Sequence, residues 1–158
     1  MADPTAPAAD ADDGLLRPFL LLVVLVGAAG LAAELLLLEH WEPGWQLTPL
    51  ILLVAALLAG AASWRRPGPA TLKAFGAIMV LCVLAGVVGV VQHYLGNAEF
   101  ERESDPTLEG LTLFWTAVRG ATPALAPGAM AQLGVVGLLF AWRHPALRAP
   151  TAPPGDFR

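Results

Sequence analysis

The segment 72–94, "LKAFGAIMVLCVLAGVVGVVQHY", decides the fold class of this chain. Its one charged residue is Lys73, and the stretch from Phe75 to Val91 is apolar throughout. A helix needs about 20 predominantly apolar residues to cross the hydrocarbon core of a bilayer. The segment therefore predicts a membrane-spanning α-helix.

Three further apolar blocks flank this segment, and we expect them to span at about 18–38, 47–63 and 124–142. The chain is 56% hydrophobic and 14% charged, with a mean hydropathy of +0.63. A soluble domain is about 45–50% apolar and about 25% charged. We therefore predict an all-α integral membrane protein in which four transmembrane helices form an antiparallel bundle over 15–146.

The two ends of the chain have a different composition. Residues 1–14 are rich in Pro and Ala with four aspartates, and residues 147–158 are rich in Pro. Both compositions are typical of disordered tails. A secretory signal peptide would carry a basic segment before its apolar core, whereas this one is acidic. The first span is therefore interpreted as an uncleaved anchor.

The cationic residues indicate the orientation, since cytoplasmic loops carry an excess of Lys and Arg. If both termini are cytoplasmic, only Arg102 and Arg119 lie outside. Seven cations then lie inside: Arg17, Arg65, Arg66, Lys73, Arg143, Arg148 and Arg158. We predict a multi-pass protein of the cell (inner) membrane with cytoplasmic termini. One lysine against eight arginines, with abundant Ala, Gly and Pro, indicates a bacterial source.

The two predicted hairpins end in similar sequences. "EHWEPGW" (39–45) resembles "QHYLGN" (92–97), and "SWRRP" (63–67) resembles "AWRHP" (141–145). Either the hairpin is duplicated, or both hairpins meet the same interfacial forces, because Trp, Tyr and Arg favour the headgroup layer. The predicted membrane anchors are Trp41, Trp45, Tyr94, Trp64, Arg65, Arg66, Trp142 and Arg143.

Small residues recur within each predicted span, for example at Gly134 and Gly137. In lipid, helices associate by close packing and by polar contacts, because there is no hydrophobic drive between them. Glu34 is the ionisable residue well inside a span, and a carboxylate costs about 2.5–3.5 kcal/mol at the centre of a helix on insertion scales. Its expected partners are Gln92, His93 and Gln132.

Two histidines, His40 and His93, are predicted at similar depths near the outer surface. The surrounding carboxylates are Glu39, Glu42, Glu99, Glu101 and Glu103. Imidazole and carboxylate ligands suit zinc, copper, manganese or iron, and two histidines from two helices could ligate a haem. The alternative is a solvated acidic loop with interfacial histidines. An H-E-x-x-H motif is absent from the sequence.

The outer loop, 95–123, contains a predicted amphipathic helix at about 106–119. Asp105 suits its N-cap, Pro106 its first residue, and Gly120 its end. Its apolar residues are Leu108, Leu111, Phe114, Trp115 and Val118. This face could lie on the outer membrane interface, dock another membrane protein, or pack on its own bundle.

These features leave three functional hypotheses. The first is a non-catalytic accessory or structural subunit that acts through the acidic loop and interfacial helix on another membrane protein or on itself. The second is a metal- or haem-binding protein that uses His40 and His93, and the third is a subunit of an oligomeric transporter or channel. No enzyme is expected, because catalytic motifs are lacking and Cys82 lies within a span. Nucleic acid is not expected as a partner, since the one basic cluster lies in a loop between spans.

Overall fold

The computed structural model describes residues 8–39, 44–120 and 123–147. This part of the chain contains five α-helices and a short 3₁₀ turn at Pro145–Leu147, and no strand. The helices are α1 (Ala8–Leu37), α2 (Leu47–Arg65), α3 (Pro69–Ser104), α4 (Gly110–Val118) and α5 (Gly128–Ala141). The chain is all-helical over the described residues.

Of the five helices in the described residues, three are long and apolar enough to cross a membrane: Leu15–Leu37 of α1, the whole of α2, and α3. This confirms that the first three predicted spans lie on membrane-capable helices. α1 begins earlier than predicted, at Ala8 within the segment 1–14. Alanine favours helix, and the aspartates that follow suit a helix N-terminus.

The helix of the fourth predicted span is shorter than expected. α5 has 14 residues, or about 21 Å of helix, against a hydrocarbon core of about 30 Å. The predicted start at Ala124 is wrong, because 124–127 form turns and Pro127 occupies the N-cap. Proline has no backbone N–H, and a residue at the start of a helix needs none for the helical hydrogen bonds, so Pro127 is compatible with the N-cap position.

Helices α1, α2, α3 and α5 share an apolar core. α1 packs on α2 and α5, and α3 packs on α2, α5 and α4. On α3 the buried positions recur every three or four residues, which places them on one face of the helix. The fully buried core includes Leu21, Val24, Leu53, Phe75 and Met79.

Glycines bring the backbones of α3 and α5 together. A Cβ on Gly134 would lie 2.6 Å from the carbonyl oxygen of Met79, and one on Gly86 would lie 2.5 Å from the backbone nitrogen of Ala131. A side chain at either position would therefore overlap backbone atoms. The expected close packing at Gly134 is confirmed, whereas Gly30 of α1 has nothing within 4 Å of such a Cβ.

One end of the molecule is basic. Arg17 donates hydrogen bonds from Nη1 to the carbonyl oxygens of Phe140 (3.0 Å) and Trp142 (2.9 Å), which lie at the end of α5. These carbonyls have no partner within the helix, so the arginine satisfies them and ties α1 to α5. We call the end that carries Arg17, Arg65, Arg66, Lys73 and Arg143 the basic end.

At the opposite end α3 continues well past the predicted span. Its 36 residues form a helix of about 54 Å, much longer than the roughly 30 Å of a hydrocarbon core. The predicted third span stops at Tyr94, but the helix ends at Ser104. Residues 95–104 are therefore helical rather than part of a loop. The next subsection describes the contacts that hold this extension.

Candidate functional site

The extension of α3 and helix α4 form a helical hairpin, residues 94–120, which we call the acidic hairpin. The two helices pack against each other: the rings of Tyr94 and Phe114 are 5.7 Å apart, and Asn97 donates a hydrogen bond to the carbonyl oxygen of Ala117. Ala98, Leu113 and Ala117 are buried together, with Tyr94 and Leu108 packed against them. The hairpin thus has a small apolar core separate from that of the long helices.

The turn of the hairpin is organised by Asp105. Its carboxylate accepts hydrogen bonds from the backbone N–H of Thr107 (2.9 Å) and from the Thr107 hydroxyl (2.7 Å). Both bonds favour the ionised form and lower the pKa of Asp105 below its usual value of 3.8. Asp105 is the C-cap of α3, so its predicted role as N-cap of the next helix is wrong; α4 starts later, at Gly110.

Asn97 fastens the end of α4 to α3, and sequence analysis missed this residue. Its side chain is buried, and Nδ2 donates a 2.9 Å hydrogen bond to the carbonyl oxygen of Ala117 in the last turn of α4. Gly120 packs against it, since a Cβ there would lie 2.8 Å from Cγ of Asn97. The spacing in the sequence could have indicated Asn97, because it lies four residues after His93 and shares its helix face.

His93 joins α3 to the segment that leads into α5. Its Nδ1 donates a hydrogen bond to the carbonyl oxygen of Pro123 (3.1 Å), and the side chain is half-buried. This leaves Nε2 as the ring nitrogen available to another ligand. His40, Trp41 and Glu42 lie outside the described residues, so the predicted pairing of His40 with His93 stays a prediction.

The predicted carboxylate ligands lie on a helix. Glu99 and Glu103 are exposed on α3, one turn apart, and Glu101 is half-buried. Glu39 follows the end of α1 and is exposed. Within the described residues, no three His, Cys, Asp or Glu side chains come close enough together to hold a metal ion.

The polar residues predicted inside the membrane lie on outer helix surfaces. Glu34, Gln92 and Gln132 are all exposed on α1, α3 and α5, respectively. Over the described ranges, Glu34 makes no hydrogen bond to either glutamine or to His93. Glu34 lies three residues before the end of α1.

α4 packs through a different face from the one predicted. Leu113 and Ala117 are its buried residues, whereas Leu111, Trp115 and Phe114 are 77%, 54% and 41% exposed. The predicted residues Leu108 and Val118 are half-buried. We call the exposed surface of Leu111, Phe114 and Trp115 the α4 patch.

The α4 patch borders a shallow depression of about 670 Å³. Its lining combines apolar surface of Leu111 and Trp115 with the hydroxyls of Thr112 and Thr116. Glu101 and Arg119 also line it, and the Arg119 guanidinium lies 5.8 Å from the centre of the Trp115 ring. The depression therefore presents an aromatic surface with one negatively charged and one positively charged side chain at its edge.

The predicted membrane anchors are mostly exposed. Trp45, Trp64 and Trp142 expose more than half of their surface, and Arg65, Arg66 and Arg143 are exposed as well. Tyr94 differs, because it is half-buried against Phe114 in the acidic hairpin. Trp41 lies outside the described residues.

The acidic hairpin thus combines an uncovered aromatic patch, a row of carboxylates and a histidine fixed through one ring nitrogen. Comparisons with protein-family models, curated proteins and solved structures found no match to this chain. The role of this end of the molecule is therefore inferred from its own residues.

Proposed function

We propose that this protein is a non-catalytic accessory subunit that binds a partner protein through its acidic hairpin. In this proposal α5 is the fourth membrane crossing, and α1, α2, α3 and α5 form an antiparallel bundle in a bacterial inner membrane. The basic end is cytoplasmic, in keeping with the excess of Lys and Arg there. The acidic hairpin then stands in the extracytoplasmic space.

The α4 patch is the observation that carries the proposal. Leu111, Phe114 and Trp115 are exposed on a helix whose opposite face is already packed on α3. A grouped apolar surface with a polar border is typical of a protein interaction site. Tryptophan and phenylalanine are enriched in such interfaces, and tryptophan is among the residues that dominate their binding energy.

The length of α3 separates this patch from the bilayer. If the hydrocarbon core covers about 20 residues of α3 after Lys73, it ends near Tyr94. The contacts of α4 lie at and beyond this level, as those of Ala98 and Asn97 show. This favours a partner in the aqueous phase over the membrane interface, which was one of the three interpretations that the sequence left open for this helix.

The charge of the hairpin indicates what the partner offers. Residues 94–120 contain five carboxylates and two arginines, a net charge of −3. Carboxylates repel the headgroups of anionic lipids and attract a basic protein surface, which also speeds association. We therefore expect a partner that presents apolar pockets surrounded by Lys or Arg.

Site-specific crosslinking tests this proposal. A photo-crosslinking amino acid at Thr112, inside the depression, should capture one and the same partner in intact cells, whereas one at Trp142 at the basic end should not. When Leu111→Ser and Trp115→Ser are added to the protein that carries the crosslinker at position 112, capture of the partner should be abolished. The thermal midpoint for unfolding of this variant should stay unchanged. Capture that persists in the double variant, or that is equal from both positions, would contradict the proposal.

A metal or haem site is the second candidate, and the hydrogen bond of His93 favours it. Metal-binding histidines usually donate their other ring N–H to a carbonyl or carboxylate, as Nδ1 of His93 does to Pro123. Metal or a Soret band at one equivalent, lost in His40→Ala/His93→Ala and retained in His144→Ala, would support it. Colourless, metal-free protein purified from its native membrane would rule it out.

A further inference from the structure

A groove of about 460 Å³ lies between α1 and α2 at the basic end. Phe19 and Leu22 line it from α1, and Ala61 and Trp64 line it from α2. These side chains are apolar apart from the indole N–H, and the charged residue of the lining is Arg65. The groove is distinct from the acidic hairpin, which lies at the other end of the helices.

Two small residues on α2 explain why the groove exists. At Gly60 the helices touch, because a Cβ there would lie 2.8 Å from Cδ2 of Leu25 on α1. The next residue, Ala61, has too short a side chain to fill the space beside it. The groove is therefore closed where Gly60 meets Leu25 and remains open beside Ala61.

The charged residue of the groove has a free guanidinium group. Arg65 ends α2, is exposed, and makes no ion pair or hydrogen bond with any other residue in the described ranges. Arg66 follows it directly, and Trp64 beside it is 60% exposed. A guanidinium group binds phosphate oxygens in a two-pronged geometry that few other side chains offer.

We propose that this groove binds one anionic phospholipid, with an acyl chain along Phe19, Leu22 and Ala61 and the phosphate on Arg65. Both walls belong to helices that are long and apolar enough to cross a membrane, so lipid is the neighbour they meet. Basic pockets between such helices on the cytoplasmic side bind anionic headgroups. The inference goes beyond the proposed partner binding and does not depend on it.

Charge complementarity selects this occupant over another protein. The depression beside the α4 patch is lined by Glu101 as well as Arg119, whereas the charged residue that lines the groove is Arg65, and Arg66 follows it in the chain. An acyl chain needs an apolar slot without hydrogen-bonding groups. The part of the groove lined by Phe19, Leu22 and Ala61 matches this requirement. Both halves of a phospholipid therefore find a complementary surface.

Lipid titration of the delipidated full-length protein in a neutral detergent tests the proposal. Phosphatidylglycerol should raise the thermal midpoint, followed by circular dichroism, and phosphatidylcholine with the same chains should need an about tenfold higher concentration. In Arg65→Gln, phosphatidylglycerol should raise the thermal midpoint only at the concentration that phosphatidylcholine needs. Arg143→Gln removes a charge at the same end but outside the groove, and should behave as the wild type.

A second variant tests the slot itself. Ala61→Trp fills the groove and should remove the response to both lipids. If this variant does not fold, Leu22→Trp blocks the groove from the opposite wall, where the native side chain is 54% exposed. An unchanged lipid response in the filled variant would overturn the proposal. Equal losses in Arg65→Gln and Arg143→Gln, or the same shift with inorganic phosphate alone, would also overturn it.

Discussion

The two halves of α3 pack in different ways, although they belong to one continuous helix. Between Phe75 and Gly86 the helix meets α5 through glycines, and its backbone touches the backbone of its neighbour. Between Tyr94 and Ser104 it meets α4 through an aromatic contact, a small apolar cluster and the hydrogen bond of Asn97. The first half of α3 is thus held by close approach of helix backbones. The second half is held by burial of apolar side chains and by a hydrogen bond that caps α4.

The surroundings proposed for each half explain this difference. In lipid, apolar side chains gain nothing by leaving one apolar environment for another, so helices associate through tight backbone packing. In water, burial of apolar surface stabilises directly, while the carbonyl groups of a buried helix end need hydrogen-bond partners from the protein. The difference along α3 is therefore what a helix that leaves the bilayer near Tyr94 should show.

The largest effect is expected where backbones touch. Gly86→Leu should abolish the monodisperse folded protein or lower its stability by about 3 kcal/mol, because the side chain would overlap the backbone of Ala131. Gly76→Leu on the same helix is the control, since nothing lies within 4 Å of its Cβ. Size-exclusion chromatography and thermal unfolding in detergent would measure both. Equal behaviour of the two variants would mean that glycine contacts do not hold α3 and α5 together.

A smaller and local effect is expected at Asn97. Asn97→Leu removes the bond to the Ala117 carbonyl and should destabilise α4 by about 1–3 kcal/mol. Hydrogen exchange should accelerate in 110–118 and remain unchanged in 128–141. Gln92→Leu, an exposed change on the same helix, should alter neither segment. Faster exchange throughout α5 in the Asn97 variant would show that the two halves are not separate units.

His93 lies between the two halves of α3, and its substitution should reduce stability less than the substitution of Asn97. His93→Ala removes the hydrogen bond to Pro123, worth about 1 kcal/mol. Exchange should increase mainly at the amides of 124–126, which lie between Pro123 and Pro127 in the segment that links the acidic hairpin to α5. Protection that increases when a metal ion is added to the wild type, and does not change when it is added to His93→Ala, would instead assign His93 to the metal-site candidate.

The smallest effect concerns the turn at Asp105. The hydrogen bonds from Thr107 lower the pKa of Asp105 in the folded protein, so their contribution is present above the unfolded value and is lost as pH falls through the folded one. Thr107→Val removes the hydroxyl bond and should raise this pKa towards 3.8, as an NMR titration would show. An unshifted pKa would mean that the backbone N–H alone holds the carboxylate.

The sequence did not predict which face of α4 is buried and which face forms the exposed α4 patch. Leu111 and Trp115 recur at helical spacing, but Leu113 and Ala117 do so equally well, and the latter pair is buried. Both faces of α4 are apolar, so periodicity could not choose between them. The choice depended on Ala98, which lies across from α4 and belongs to a segment predicted to be a loop.

The capping residues show a second limit. "DPT" at 105–107 fits a helix N-cap, and it also fits the turn in which Asp105 bonds to Thr107. Both use the same carboxylate as an acceptor of backbone N–H groups. Only the position of α4 against Asn97 decides which of the two forms. The same holds for Pro127, where the pattern of apolar residues continued but the helix had not yet begun.

By itself the sequence determined that the chain is helical, which segments can cross a membrane, and that basic and acidic residues separate to opposite ends. These properties follow from composition and from runs of apolar residues, which act locally. Only the tertiary structure decided that α3 extends to Ser104, which face of α4 is covered, and that a groove opens beside Ala61. Each of these depends on a contact between residues far apart in the chain, and a local pattern carries no information about the partner that it will meet.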